Sequence, residues 1–302
     1  MLSNKISRQL IIINLLSENS EGLTKSEIIG NIEHKFKLSN EPTNYLELTF
    51  KRDLQSIRND FKIDVNYNKK DKTYQLGVLS IDDSRIELLL NSFKIFTVIL
   101  NHSGLPEYII PEKRKSNGLK NIATITEAIG VKKYILFDYF KYDSNVFESK
   151  KIKPLALKES KNRWYVIGYY ENNNEIRAFG LDRINNLKVL EQGFKTKLKI
   201  ETINNYYKDS FAMFTDGEVE NVTLSFDLRD GNYINSHPIH FSQKCEINQE
   251  KTRYFIYLKI KITLDFMMEL MSRAWSLKVI EPLHLRDKMV TFFEEALDRN
   301  KN

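Results

Sequence analysis

Apolar positions in the first part of this 302-residue chain recur at helical spacing. Ile6, Leu10, Ile13 and Leu16 fall roughly a turn apart and predict a helix over about residues 5–17. Thr24-Lys25-Ser26-Glu27 has the form of a capping box and opens a second helix that buries Ile28, Ile32 and Phe36. A third helix begins near Asn44, after Pro42, and carries Leu46, Phe50, Leu54, Ile57 and Phe61 on one face. Its opposite face presents Leu48, Arg52, Gln55 and Asn59, flanked by Asn44, Lys51 and Arg58. The period then drops to two. Residues 63–67 and 73–76 alternate around the turn Asn68-Lys69-Lys70-Asp71-Lys72, which predicts a β-hairpin.

Three helices followed by a hairpin, over residues 1–77, are the parts of a winged helix-turn-helix. In that arrangement the third helix enters the major groove and the hairpin lysines reach the phosphate backbone. The candidate DNA-binding residues are Asn44, Tyr45, Lys51, Arg52, Gln55, Asn59, Lys69, Lys70 and Lys72. The alternative is a small helical domain with a solvated basic face.

Residues 83–101 predict a strongly apolar helix, too greasy for a free linker, that must pack on another domain or a second subunit. It lies in a segment, 78–130, expected to be a helical linker and dimerisation region; 113–118 reads as a loop and a short helix follows to about Ile129. From Lys132 to Lys199 the pattern alternates, with turns at 159–162 and 172–174, as expected of a small β-barrel. Residues 219–302 alternate strands and helices in the manner of a ferredoxin-like α+β domain. The expected fold class is thus α+β and multidomain.

Composition narrows the class. With 41% apolar and 28% charged residues the chain is globular rather than disordered. No run of apolar residues is long enough to span a membrane, and the N-terminus lacks a signal-peptide core. Cys245 is the single cysteine, which excludes an intrachain disulfide and an all-cysteine zinc site and fits a reducing cytoplasm. The net charge of +6 is unevenly spread: +9 falls within residues 111–200, while 1–77 carry +2, 78–110 carry −2 and 201–302 carry −3. The middle of the chain therefore calls for an anionic partner.

Within that segment, Arg163-Trp164-Tyr165-Val166-Ile167-Gly168-Tyr169 and Arg177-Ala178-Phe179-Gly180-Leu181-Asp182-Arg183-Ile184 closely resemble the two long motifs of the WYL domain, with Val166 in place of the family's leucine. Ile135-Leu136-Phe137-Asp138-Tyr139 is similar to its first strand and Ile152-Lys153-Pro154-Leu155 to its second. The resemblance extends outward. Thr49-Phe50-Lys51-Arg52-Asp53-Leu54 resembles the core of the family's recognition helix, although Leu46 and Leu48 replace the usual serine and arginine. Pro238-Ile239-His240-Phe241-Ser242-Gln243 resembles a link in the C-terminal extension called WCX. The resemblance implies a bacterial transcription regulator: a winged helix, a Sm/SH3-like WYL barrel over 131–200 and a WCX domain over 219–302. It implies a homodimer on operator DNA, with a WYL domain that senses a nucleic-acid-like ligand such as single-stranded DNA. By analogy with relatives it further implies a repressor of phage-defence genes. An accessory protein that modulates a CRISPR effector or helicase through its WYL domain is the alternative.

The residues point the same way. Arg177 and Arg183, at i and i+6 on one strand, have the same parity, so Arg177, Phe179, Leu181 and Arg183 face one way. Guanidinium groups beside aromatic rings suit phosphates and stacked bases. Tyr139, Tyr165, Arg177 and Arg183 are the candidate ligand-binding residues, and Trp164 reads as core. No phosphate loop, dinucleotide fingerprint or catalytic constellation is recognisable. His237, His240 and Cys245 lack a fourth ligand at sensible spacing and read as a loop at a strand end. Neither an enzyme nor a cofactor is expected.

Overall fold

A computed structural model of the chain describes residues 4–38, 47–77, 86, 88–94, 107–110, 118–170 and 175–301. The chain divides into two compact units, residues 1–113 and 114–302. Among the described residues the strands form three antiparallel sheets, of three, five and four strands.

In the first unit, α1 (Asn4–Glu18), α2 (Lys25–Leu38) and α3 (Glu47–Ser56) surround a core of Leu10, Ile13, Leu16, Ile28, Ile32, Phe50 and Ile57. The expected capping box is present. The Thr24 N–H donates to Glu27 Oε2 at 2.8 Å, and the Glu27 N–H donates to Thr24 Oγ1 at 3.3 Å. The exposed Glu27 carboxyl is held below its ordinary range by the first of these bonds. After Ser56 the helix widens into a π-turn, Ile57–Phe61, that ends on Lys62 in the left-handed region. That register keeps Ile57 fully buried and Phe61 against the core. Asp53 is 1% exposed. It accepts from Arg8 Nε at 2.7 Å and Nη2 at 3.2 Å, a two-pronged tie between α3 and α1.

Strands β1 (Leu23–Thr24), β2 (Val65–Asn68) and β3 (Thr73–Leu76) make the small sheet, in the order β1-β3-β2. Phe50 of α3 meets Tyr74 of β3 edge to face at 5.2 Å, and Tyr74 meets Tyr67 of β2 at 4.9 Å. These rings fasten the hairpin to the third helix. The helical residues at 86 and 88–94 send Ile86, Leu90 and Phe93 into this same core. The rest of the expected 83–101 helix lies outside the described residues.

In the second unit a 3-10 turn, Leu119–Asn121, leads into α4 (Ile122–Gly130), which packs Ile125 and Ala128 into the core of the five-stranded sheet. That sheet comprises β4 (Lys133–Lys141), β5 (Val146–Ser160), β6 (Arg163–Tyr170), β7 (Ile176–Gly180) and β8 (Ile184–Gly193), ordered β7-β6-β5-β4-β8. Leu157, Val166 and Phe179 pair in register and face the core shared with α4. Ala156, Ile167 and Ala178 face the other way. Only Leu181–Arg183 joins the two edge strands, β7 and β8. A link that short spans at most roughly 13 Å, whereas the outer strands of a flat five-stranded sheet stand roughly 19 Å apart. The sheet must curl until its edges approach there.

A helix that the strand pattern did not announce, α5 (Ile200–Tyr207), covers the second face with Ile203 and Tyr207. The chain then runs through β9 (Val219–Asp227), α6 (Leu228–Ser236), β10 (Lys244–Ile247), β11 (Arg253–Lys261), α7 (Leu264–Met271), β12 (Lys278–Glu281) and α8 (Leu283–Lys301). The sheet order is β10-β11-β9-β12, antiparallel throughout. His240 is a structural link in this region: its Nε2 meets Lys208 O at 2.8 Å and its Nδ1 meets Ser242 Oγ at 2.8 Å. Among the described residues no group of three or more His, Cys, Asp and Glu side chains could hold a metal, and no helix is long and apolar enough to cross a membrane.

Candidate nucleic-acid interface

Two surfaces carry the residues singled out in the sequence. On α3, the face opposite Phe50, Asp53 and Ile57 exposes Lys51, Arg52 and Gln55, and the π-turn continues it with Asn59. Neither Arg52 nor Gln55 is bonded to another side chain among the described residues. Arg58, on the flank, is held by Asp64 at 2.7 Å. Leu48 is 67% exposed on the same side, a large apolar group held out in water. Asn44 and Tyr45 lie outside the described residues.

The hairpin turn is locally determined. Asn68 Oδ1 accepts from the Lys70 N–H at 3.0 Å, and Asn68 Nδ2 donates to Asp71 Oδ2 at 2.7 Å. Lys69, Lys70 and Lys72 all project into solvent. Lys72 takes a positive φ of 57°, which closes the turn.

The second surface lies at the β7–β8 connection. The expectation of one strand face shared by Arg177, Phe179, Leu181 and Arg183 is corrected here. β7 stops at Gly180, and Leu181–Arg183 form a 3-10 turn, so Arg183 leaves the alternation of the strand. Arg177 pairs with Gly168 and Tyr165 with Gly180, three positions apart along the ladder, which sets Arg177 and Tyr165 on opposite faces. Arg177 sits at the far end of β7, where Glu175 binds it at 2.8 Å. Both partners are about half exposed, so that pair is worth little and opens readily.

Tyr139, Tyr165 and Arg183 do come together. The Gly180 N–H donates to the Tyr139 hydroxyl at 3.2 Å. The Arg183 guanidinium stands 4.5 Å from the Tyr139 ring centre and 4.8 Å from that of Tyr142. No carboxylate pairs with Arg183 among the described residues; the neighbouring Asp182 is taken by Arg163 at 2.8 Å. A Cβ on Gly180 would lie 2.6 Å from Asp182 Oδ1, 3.4 Å from Arg183 Nε and 3.7 Å from Tyr165 Cε1, so these three side chains crowd around that glycine. Burial raises the Tyr139 phenol pKa, opposed next by the Arg183 charge. Burial also raises that of Tyr165, opposed by Arg163. Both phenols therefore stay neutral, and the Tyr139 ring offers its π system to the Arg183 cation. Trp164 is partly buried against the core, as expected.

Sequence reasoning missed Tyr142 and Arg163. Tyr142 lies one residue past the end of β4, beyond the reach of any strand parity, and Arg163 sits two residues before Tyr165 with the same parity. Missed too was the support beneath Arg183. Gly118 adopts φ 109°, and a Cβ there would fall 2.5 Å from the Leu181 carbonyl carbon and 2.6 Å from Asp182 N. Gly118→Ala is therefore expected to cost about 3 kcal/mol of stability in urea denaturation, from backbone strain and a clash with the turn that holds Arg183. Gly217→Ala is the control: φ is 85° but nothing lies within 4 Å of its Cβ, so it should cost roughly 1 kcal/mol.

A curled five-stranded antiparallel sheet with an arginine on two tyrosines at its edge defines a small β domain. Residues 120–189, which run from α4 through most of β8, match the sequence model of the WYL domain, and the chain carries that domain. No curated protein matches the sequence. Among solved structures the chain is similar to the proteasome accessory factor B/C (PafBC) of Arthrobacter aurescens, at 17% identity and a TM-score of 0.38, over 99% of this chain and 47% of that one. The chain thus spans about half the length of PafBC. It is also similar to a CRISPR Cas-related protein, at 9% identity and a TM-score of 0.39, over 98% of this chain and 85% of that one. At scores this low neither likeness bears on fold or function.

Proposed function

We propose that this protein is a DNA-binding transcriptional regulator, without catalytic activity, that works in the cytoplasm as a homodimer. In this reading residues 1–77 are a winged helix-turn-helix and 78–130 a helical linker and dimerisation region. Residues 131–200 form a Sm/SH3-like WYL barrel that senses a nucleic-acid ligand, and 219–302 a ferredoxin-like WCX domain. The observation that carries it is the exposed face of α3, joined through Phe50, Tyr74 and Tyr67 to the lysine hairpin, so that base-reading and phosphate-binding groups sit on one core. The ββ connection with its carboxylate-free Arg183 on two tyrosines suits a phosphorylated single strand whose bases stack. The regulated genes are expected to include its own operon, under repression, in a phage-defence setting. The ligand shifts operator affinity only to the extent that it binds the two dimer states unequally.

A gel shift on the protein's own promoter, with and without a short single-stranded oligonucleotide, tests the reading. A specific complex that the oligonucleotide weakens or strengthens supports it; no complex on any promoter fragment refutes it. Replacing Lys69, Lys70 and Lys72 together by alanine should weaken every duplex alike. It should also flatten the salt dependence, by a slope of roughly 0.9 for each phosphate that a lysine no longer neutralises, read from titrations at several salt concentrations.

A further inference from the structure

The face of the five-stranded sheet turned away from the Tyr139–Phe179 core is only partly covered by α5. Beside that helix lies a cleft of about 270 Å³ lined by Ala156, Ile167, Ile200, Ile203, Lys158 and Tyr207. Ala156 is small, and the register of β5 against β6 shifts just before it, between Pro154 and Ala156. Large side chains therefore wall the cleft without filling it.

Lys158 makes this more than a packing defect. It lies two residues beyond Ala156 on the same strand face, half-buried, with Nζ 5.4 Å from the Tyr207 ring centre. No carboxylate pairs with it among the described residues. The acidic group that it feels, Asp265, is committed elsewhere, accepting from the N–H groups of Met213 at 2.8 Å, Phe214 at 3.0 Å and Phe266 at 2.9 Å. Burial lowers the Lys158 pKa, the signature of an ammonium short of counter-charge. Burial pushes the Tyr207 phenol up to about 12, so that its hydroxyl remains a neutral donor. Lys208 also lines the cleft, with its Nζ 5.9 Å from the Phe241 ring centre.

We propose that this cleft binds a small amphipathic anion, its apolar body against Ala156, Ile167 and Ile203 and its anionic head on Lys158. The size fits a ligand of roughly ten to fifteen non-hydrogen atoms, so a fatty-acid-like carboxylate and an alkyl phosphate both satisfy the chemistry. The lining shares no residue with the Tyr139–Arg183 surface, although Lys158 lies directly opposite Tyr165 on the β5–β6 ladder, and octyl probes, which carry no base, test the cleft independently of any nucleic acid bound there.

Isothermal titration of the full chain with octanoate, octyl phosphate and octanol tests it. The proposal expects one or both anions to bind at least tenfold tighter than octanol, and the tighter anion names the head group. Lys158→Met, which keeps the length and removes the charge, should bring the anions down to the octanol level without lowering the melting temperature. Asn204→Trp, at an exposed lining position on α5, should block all three ligands. The proposal is overturned if neither anion binds the wild type, if octanol binds as tightly as both anions, or if Lys158→Met binds the anions undiminished.

Discussion

Replacing Arg52 and Gln55 together by alanine is expected to abolish sequence-specific duplex binding while leaving the fold intact. Both side chains project into solvent from α3, and the face behind them is built from Phe50, Asp53 and Ile57, all essentially buried. Their removal leaves the core untouched, so the melting temperature should match wild type within a degree or two. A good base contact discriminates by about 1–3 kcal/mol, so the pair is worth about 2–6 kcal/mol. That is a loss of at least thirty-fold on the cognate operator, read by fluorescence anisotropy at fixed salt. Binding to unrelated duplex should change far less, because the hairpin lysines supply the phosphate contacts. An operator affinity equal to wild type in the double variant would place base recognition elsewhere in the chain.

The second large effect concerns Arg183. Arg183→Ala should lower affinity for a labelled single-stranded oligonucleotide by more than tenfold, since a charge-assisted bond to phosphate is worth about 1.5–3 kcal/mol. Its guanidinium has no carboxylate partner among the described residues and is held on the rings of Tyr139 and Tyr142, so nothing has to be broken before it meets an anion. Arg177→Ala should cost only a few-fold, because Arg177 lies at the other end of β7, faces away from Tyr165 and already carries Glu175. Arg183→Lys should recover part of the loss, as the charge returns without the flat surface that stacks on two rings. Duplex binding without ligand should be unaffected in all three. Wild-type affinity in Arg183→Ala, or an equal loss in Arg177→Ala, would move the ligand site off this turn.

Local chemistry is what the sequence states most directly. The capping box at Thr24–Glu27, the apolar stripe of the third helix and the lysine turn between β2 and β3 each depend on residues a few positions apart, and each is found where the spacing puts it. The strands and helices between Val219 and Lys301 follow for the same reason. The short helix α5 also carried a signal, since Ile200, Ile203 and Tyr207 fall at helical intervals, but eight residues after a long run of strands are easily read as loop.

Periodicity and the identity of the groups are therefore legible in the chain alone: which residues turn inward, which lysines crowd a turn, which motif marks the WYL domain. Which groups meet is settled only by packing in three dimensions. The apolar stretch announces burial in any partner, and it takes the fold to send its described residues Ile86, Leu90 and Phe93 into the N-terminal core. Alternation assumes that a strand runs on, whereas a curled sheet needs the tight Leu181–Arg183 turn to bring β7 back to β8. That turn carries Arg183 onto Tyr139 and Tyr142 and leaves Arg177 behind. Closure of a sheet is a property of all five strands at once, and no window of neighbouring residues contains it.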